Sequence, residues 1–164
     1  MLYIILGIVV VLLTILILGL LLPQKRIVTK QTVYNASVET VYNTVTNNKD
    51  WKYRTSIEDL RIVETNGEFE IWEEISQGNT IRFKTKEKKP FVFYSFEMNS
   101  NFFQGEWFAK FEPIENGKTL FTATEIITYK NPLIRVVGYT FMDLDKFMET
   151  YQRELKNKIE NASR

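Results

Sequence analysis

The residues of this chain that could do chemistry are few, and most of them are carboxylates. Its 164 residues include no histidine and no cysteine. The lack of histidine removes the commonest general base and metal ligand, and the lack of cysteine removes thiolate chemistry and disulfide bonds. Carboxylate-only sites stay open. The chain has no glycine-rich phosphate loop, no carboxylate cluster with metal-ligand spacing and no nucleophile elbow, so we expect no metal and no cofactor.

Four glutamates in strand-like segments are the candidate acids: Glu73, Glu74, Glu106 and Glu125. Glu73 and Glu74 are adjacent, so in a strand they point to opposite faces and cannot act as a pair on one substrate. One of them could point inwards. A lone inward glutamate more often pairs with a nearby base such as Arg82 or Lys110 than performs chemistry. We therefore assign no catalytic residue from the sequence.

The charges are nearly balanced and unevenly placed. The chain has 21 Lys and Arg residues against 20 Asp and Glu residues, and all of them follow Pro23. Binding of nucleic acid needs a clear basic excess or a basic stripe. We therefore expect no nucleic-acid partner.

Residues 2–22, LYIILGIVVVLLTILILGLLL, contain no charge. A helix of about 20 such residues crosses the hydrocarbon core of a bilayer. A cleaved signal peptide is the alternative, but no basic residue precedes the segment and Leu20-Leu21-Leu22-Pro23 is a poor cleavage site. The sequence predicts a retained single-pass anchor over residues 1–23 and one further domain over residues 24–164. Lys25, Arg26 and Lys30 follow the span, which favours a cytoplasmic location for that domain.

The domain is predicted to be α+β. Short turn signals such as Asn66-Gly67 and Asn116-Gly117 separate a series of strand-like segments, which is typical of an antiparallel meander. Ser37 has the pattern of a helix N-cap. The predicted elements are a strand over 26–34, a helix after Ser37, strands over 57–65, 69–77, 80–87, 91–98, 104–112 and 118–129, and one long helix over 132–159.

An apolar stripe runs along that last helix. Its members recur at heptad spacing: Ile134, Val137, Phe141, Leu144, Met148, Tyr151 and Leu155. The stripe must face something apolar, and the sheet is the only large candidate. A twisted sheet of seven strands curls, so a long helix on its concave side cannot touch every part of it. A gap between helix and sheet would suit a small apolar molecule.

Three phrases follow one another at characteristic spacing: VYNASVETVYNTVTNNKDW, GEWFAKFEPIENGKTLFTATE and NPLIRVVGYTFMDLDKFMETYQRELK. Together they resemble the SRPBCC superfamily, also called START-like or helix-grip proteins. Within it they are similar to the polyketide cyclase/dehydrase and lipid-transport branch. The resemblance covers residues 27–158. A membrane-anchored subset of that branch also carries an N-terminal apolar segment that ends near a Leu-Leu-Pro, as Leu21-Leu22-Pro23 does here.

The resemblance implies a helix-grip fold, with a curved seven-stranded antiparallel sheet wrapped on a long C-terminal helix and a deep pocket between them. It also implies binding of lipids, sterols, polyketides or other hydrophobic molecules. The candidate ligand-binding residues lie on the predicted inner faces: Trp51, Phe96, Trp107, Ala109, Phe111, Val137, Phe141, Leu144 and Met148. For any single one of them, ordinary core packing is the simpler interpretation.

Phe102 and Phe103 lie at a predicted turn, where exposed aromatic residues would gate a pocket, contact lipid or simply pack. The favoured function is a membrane-anchored domain that binds a lipid-like molecule and touches the bilayer through residues 2–22. Two alternatives stay open. One is a cyclase- or dehydratase-type enzyme that uses a pocket glutamate or a tyrosine such as Tyr94, and the other is a protein-interaction scaffold at the membrane. The sequence carries no signal for the oligomeric state.

Overall fold

The computed structural model describes residues 1–162, which form four α-helices and seven β-strands. In chain order these are α1 Leu2–Leu21, β1 Lys25–Tyr34, α2 Val38–Thr46, β2 Asp59–Asn66, β3 Phe69–Ser76, β4 Asn79–Lys89, β5 Phe93–Asn99, β6 Phe103–Ile114, β7 Lys118–Tyr129, α3 Pro132–Phe141 and α4 Leu144–Ala162. Short 3₁₀ turns cover Asn48–Asp50 and Glu115–Gly117. The predicted α+β class and the seven strands are confirmed. The predicted domain runs to Arg164, and its last two residues lie outside the described residues.

All seven strands form one antiparallel sheet in the order β1-β7-β6-β5-β4-β3-β2. β2 to β7 are a meander, and β1 joins it beside β7. The predicted inner-face position of Trp107, Ala109 and Phe111 on β6 is confirmed. All three are buried, whereas Lys110 and Glu112 between and after them are exposed.

The sheet has two ends, which we name by the nearest helix. The α1 end carries the start of β1, the end of β7 and the β3–β4 and β5–β6 turns. The strand pairing shows this, because Lys25 pairs with Thr128, Thr128 with Gln104, and Gln104 with Asn99. The α2 end carries the β2–β3, β4–β5 and β6–β7 turns. Helix α2 begins after Ser37, whose Oγ accepts a hydrogen bond from the Thr40 backbone N–H at 3.2 Å, as an N-cap does.

The prediction of one long C-terminal helix was wrong, because the helix breaks at Met142 and Asp143. The Met142 N–H donates to the Gly138 carbonyl at 3.1 Å and ends α3. The Asp143 carboxylate accepts from the Lys146 N–H at 3.0 Å and caps α4. Arg26 of β1 donates to the carbonyls of Met142 at 2.8 Å and Gly138 at 3.3 Å, which places a cation at the C-terminus of α3.

The break divides the apolar stripe between two surroundings. On α4, Leu144, Met148 and Leu155 are buried against the sheet and α2. On α3, Val137 is 56% exposed and Phe141 is 82% exposed. Gly138 of α3 lies so close to the Tyr129 ring that a Cβ atom there would collide with it. The side of α3 that carries Gly138 therefore packs on the sheet. Val137 and Phe141 point away from the sheet.

Helix α1 is the one helix among residues 1–162 that is long and apolar enough to cross a membrane. It contacts α3. A Cβ atom at Gly19 would overlap the backbone of Pro132, so the glycine permits the close approach of the two helices. Arg135 donates to the carbonyls of Gly19 at 2.9 Å and Leu22 at 2.8 Å, and thereby joins α3 to the end of α1.

Candidate functional site

Aromatic rings cover the inner face of the sheet beneath α4. Trp72 stacks on Phe83 with ring centroids 5.1 Å apart, and Phe96 stacks on Trp107 at 4.9 Å. Tyr151 of α4 meets Trp107 edge-on at 6.2 Å. The gap that the sequence predicts between helix and sheet is therefore occupied by these rings.

The two most prominent cavities of the described residues lie elsewhere. One has a volume of about 500 Å³, and its polar lining consists mainly of outward-pointing side chains: Lys25, Arg82, Lys84, Glu97, Asn99, Gln104, Glu106 and Thr128. The other, of about 160 Å³, lies beside Glu64, Phe69 and Lys84. Both are partly open to solvent, unlike an enclosed pocket for an apolar molecule, and the lining of the larger one is mainly polar.

Glu74 is the inward-pointing member of the Glu73-Glu74 pair. Its Oε1 accepts a hydrogen bond from Trp72 Nε1 at 2.9 Å and lies 2.9 Å from the Arg54 guanidinium. Burial is the largest single influence on the pKa of Arg54 and lowers it, but Glu74, Tyr53 and Tyr151 together outweigh burial and the pKa is raised. Glu74 is thus paired, as expected for a lone inward glutamate, but its partner is Arg54.

The outward glutamates are also paired. Glu73 binds Arg61 at 2.6 Å and Arg82 at 2.9 Å, and hydrogen bonds from these arginines hold its pKa below the usual value. Glu106 binds Lys86 at 2.8 Å. These exposed pairs belong to the outer face and stabilise the fold little.

Glu125 differs from the other three candidate acids. It is buried on the inner face of β7, between its ladder partners Trp107 and Val28. Its Oε2 has no hydrogen-bond partner among residues 1–162. Burial raises the pKa of Glu125 to about 7, and the negative charge of Glu74 acts in the same direction. At neutral pH this carboxyl is partly protonated, so it can donate or accept a hydrogen bond.

Tyrosine hydroxyls complete the polar part of the interior. The Tyr94 hydroxyl is buried without a well-formed hydrogen bond to any described residue, and burial raises its pKa. Burial also raises the pKa of Tyr53 and Tyr151. All three tyrosines therefore stay neutral near pH 7 and can act as hydrogen-bond donors.

The structure brings together most of the predicted ligand-binding residues, but not all. Those that lie within the sheet–α4 interior are Phe96, Trp107, Ala109, Phe111, Leu144 and Met148. Trp51 is half-buried in the segment between α2 and β2. The expected interior placement of Val137 and Phe141 is wrong, because both project from α3.

Glu125 is one of the four candidate acids predicted from the sequence, but it was not predicted to be the interior one. The signal was present, since Phe121, Ala123, Glu125 and Ile127 alternate along β7 and all are buried. Arg54 was missed. It lies in an irregular segment, so no periodicity marks it as an inward residue.

No protein-family model matches this chain, and no curated protein matches it in sequence. Solved structures do match in fold. The aromatase/cyclase Zhui from Streptomyces sp. R1128 gives a TM-score of 0.75 at 9% identity, over 85% of this chain and 96% of that one. A protein from Thermus thermophilus gives a TM-score of 0.70 at 18% identity, over 85% of this chain and 100% of that one.

A START superfamily protein from Mycobacterium smegmatis gives a TM-score of 0.65 at 15% identity, over 83% of this chain and 98% of that one. At such identities the likeness concerns the fold. The domain that follows α1 therefore has a START-like fold, as the sequence resemblance predicts.

Proposed function

We propose that this chain is a membrane-anchored domain that binds an amphiphilic small molecule in the interior between its sheet and α4. The apolar part of the ligand packs on Phe96 and Trp107, and its polar group meets Glu125. Residues 1–23 are the anchor, and residues 24–164 form the binding domain on the cytoplasmic side. Solved structures of this fold include a START superfamily protein and an aromatase/cyclase, which supports a hydrophobic ligand.

The observation that carries the proposal is the Oε2 atom of Glu125, which is buried without a hydrogen-bond partner among the described residues. A buried polar group without a partner costs about 1–3 kcal/mol, so native interiors contain few of them. A leucine would fill this position at no such cost. The carboxyl of Glu125 faces aromatic rings and has one oxygen without a partner. It can therefore orient an amphiphile by a hydrogen bond to the ligand's single hydroxyl or amine.

Access to Glu125 requires movement of side chains, because rings occupy the interior. Phe96 and Tyr151 are only partly buried, although both belong to the core cluster. Both side chains can change rotamer more readily than fully buried Trp72. The ligand therefore enters as these two rings move aside and packs on them, and it does not enter a preformed cavity.

The anchor half of the proposal depends on α1 and the residues that flank it. The 20 residues of α1 are exposed on almost every side, unlike the core helix of a soluble protein. Lys25, Arg26 and Lys30 follow it. These basic residues support the cytoplasmic orientation.

Native mass spectrometry of the full chain in detergent tests the binding half. Hexadecanol, an alcohol with one apolar tail, serves as the probe. We expect the wild type to bind it and Glu125→Leu to bind it about fivefold more weakly, since one hydrogen bond is worth about 1 kcal/mol. Glu97→Ala on the outer face is the matched control and should bind like the wild type. Equal binding by the wild type and Glu125→Leu would contradict the proposal.

The raised pKa of Glu125 supports a second candidate function. A carboxyl that titrates near pH 7 is suited to general acid–base catalysis, as a cyclase or dehydratase needs. Incorporation of solvent deuterium at the carbon between the two carbonyls of a long-chain β-diketone would report this activity. Exchange that requires the wild-type Glu125 would favour the enzyme over the binding domain.

A further inference from the structure

Helix α3 carries a row of large apolar side chains that no described residue covers. Leu133, Val137 and Phe141 follow one another at four-residue intervals, so they lie on one face. They are 51%, 56% and 82% exposed. Clustered apolar side chains on a surface mark an interaction site, whereas scattered ones need no explanation.

The same helix has a second apolar face that is already used. Ile134 packs on the core cluster, and Gly138 is buried against the Tyr129 ring. α3 is therefore apolar towards the sheet and apolar on the Leu133 face. The exposed row is not needed to hold α3 on the domain.

Phe102 adds to this surface. It is 45% exposed in the β5–β6 turn, and its carbonyl accepts a hydrogen bond from the Lys130 N–H at 3.1 Å, just before α3 begins. We call Phe102, Leu133, Val137 and Phe141 the α3 patch.

The position of α1 identifies what covers the α3 patch. Gly19 lies against Pro132 at the start of α3, and Arg135 binds the Gly19 and Leu22 carbonyls. The patch thus begins next to the last turn of the span. A bilayer that surrounds α1 ends at that turn. The lipid headgroups and the upper part of the acyl chains therefore lie beside α3.

We infer that α3 is an interfacial membrane helix, with the α3 patch in contact with phospholipid acyl chains beside α1. An amphipathic helix in this position lies in the plane of the interface with its apolar face towards the acyl chains. The inference rests on the anchor half of the proposed function. It also brings the α1 end of the sheet–α4 interior next to the bilayer.

The chain has no cysteine, so single cysteines can be introduced and labelled with a nitroxide. The full chain is reconstituted in vesicles of phosphatidylcholine and phosphatidylglycerol. Collision of the nitroxide with oxygen, relative to a water-soluble nickel chelate, reports depth in the bilayer. The test sites are Phe141→Cys and Phe102→Cys, and Leu12→Cys in α1 is the positive control. Phe69→Cys is the matched control, since Phe69 is 46% exposed at the α2 end of the sheet.

We expect the oxygen-to-nickel collision ratio to be several-fold higher at positions 141 and 102 than at position 69, and highest at position 12. A high ratio at 12 with water-like ratios at 141 and 102 would overturn the inference and leave the anchor standing. A water-like ratio at 12 would overturn the anchor itself, and the inference with it.

Discussion

The two ends of the sheet–α4 interior are closed in different ways. At the α2 end, Val41 and Tyr42 of α2 are buried against the sheet. The Tyr42 ring meets Phe111 edge-on at 5.1 Å and Phe91 at 5.5 Å. Val41, Tyr42 and Val45 on the inner face of α2 are buried here, and Val38 in its first turn is partly exposed.

At the α1 end the inner side chains are only partly covered. Ile81, Phe103, Tyr139 and Met142 pack on the core cluster but stay partly exposed. The break between α3 and α4 lies at this end. We expect the α2 end to supply more of the stability, and we propose that a ligand enters at the α1 end.

The largest expected effect is at the α2 end. Tyr42→Ala removes a buried ring and leaves a cavity, so we expect a loss of about 3–5 kcal/mol in the free energy of unfolding. Phe103→Ala at the α1 end removes a partly exposed ring and should cost about half as much or less. Urea unfolding of the full chain in detergent, followed by tryptophan fluorescence, measures both.

Tyr42→Phe is the control for the first variant, because it keeps the ring and removes only the hydroxyl. It should unfold close to the wild type. Equal losses for Tyr42→Ala and Phe103→Ala would remove the distinction between the two ends.

Glu125 gives the second effect, which depends on pH. Its pKa in the folded chain is about 7 and its ordinary value is 4.5, so the folded state holds the proton more tightly than the unfolded state. The folded chain therefore loses stability as the pH rises from about 5 to about 8, by roughly 3 kcal/mol at most. Glu125→Gln abolishes ionisation and should be more stable than the wild type at about pH 8.

The advantage of Glu125→Gln should shrink towards zero at about pH 5, where the wild-type carboxyl is protonated in the folded chain. Glu97→Gln on the outer face is the matched control and should give no such pH-dependent gain. A Glu125→Gln difference that is the same at both pH values would mean that Glu125 is already ionised and paired in solution.

The sequence predicts the sheet well because strand faces follow from local alternation. Trp107, Ala109 and Phe111 could be assigned to one face by counting residues in twos. The break in the C-terminal helix could not be found this way. The apolar heptad spacing continues through Phe141 and Leu144, so the pattern gives no sign of a break. The Met142 carbonyl accepts a hydrogen bond from Arg26, which is 116 positions away in the chain.

The interior of the site is predictable only in part for a similar reason. Alternation places Glu125 on the inner face, but its raised pKa results mainly from burial by elements distant in sequence and to a smaller extent from the charge of Glu74 on β3. Likewise, the exposure of Phe141 results from the position of α3 beside α1. Neither the pKa of Glu125 nor the exposure of Phe141 can be predicted from a local sequence pattern.

A smaller effect concerns the cap at the break. Asp143→Ala removes the side-chain acceptor for the Lys146 N–H and should cost about 1 kcal/mol. The loss should be local to the α1 end, so amide hydrogen exchange should quicken in the first turn of α4 more than in α2. Asp143→Asn keeps an acceptor and should restore most of the protection. Equal acceleration in α2 would contradict a local role.

The smallest effect is expected at the α3 patch. Val137→Ser in detergent should change the free energy of unfolding by no more than about 0.5 kcal/mol, because the side chain is exposed and supports no core contact. The buried Val41→Ser at the α2 end is the comparison and should be clearly destabilising. A large loss for Val137→Ser would mean that α3 is held by this face.

We propose that an amphiphile occupies the sheet–α4 interior, and photo-crosslinking reports its position. A long-chain alcohol with a diazirine in its tail is irradiated with the full chain, and the modified residues are mapped by peptide mass spectrometry. We expect crosslinks at inner-face positions such as Phe96, Trp107 and Tyr151 that excess hexadecanol suppresses. Crosslinks confined to α1 and the α3 patch, with the inner face unmodified, would contradict it.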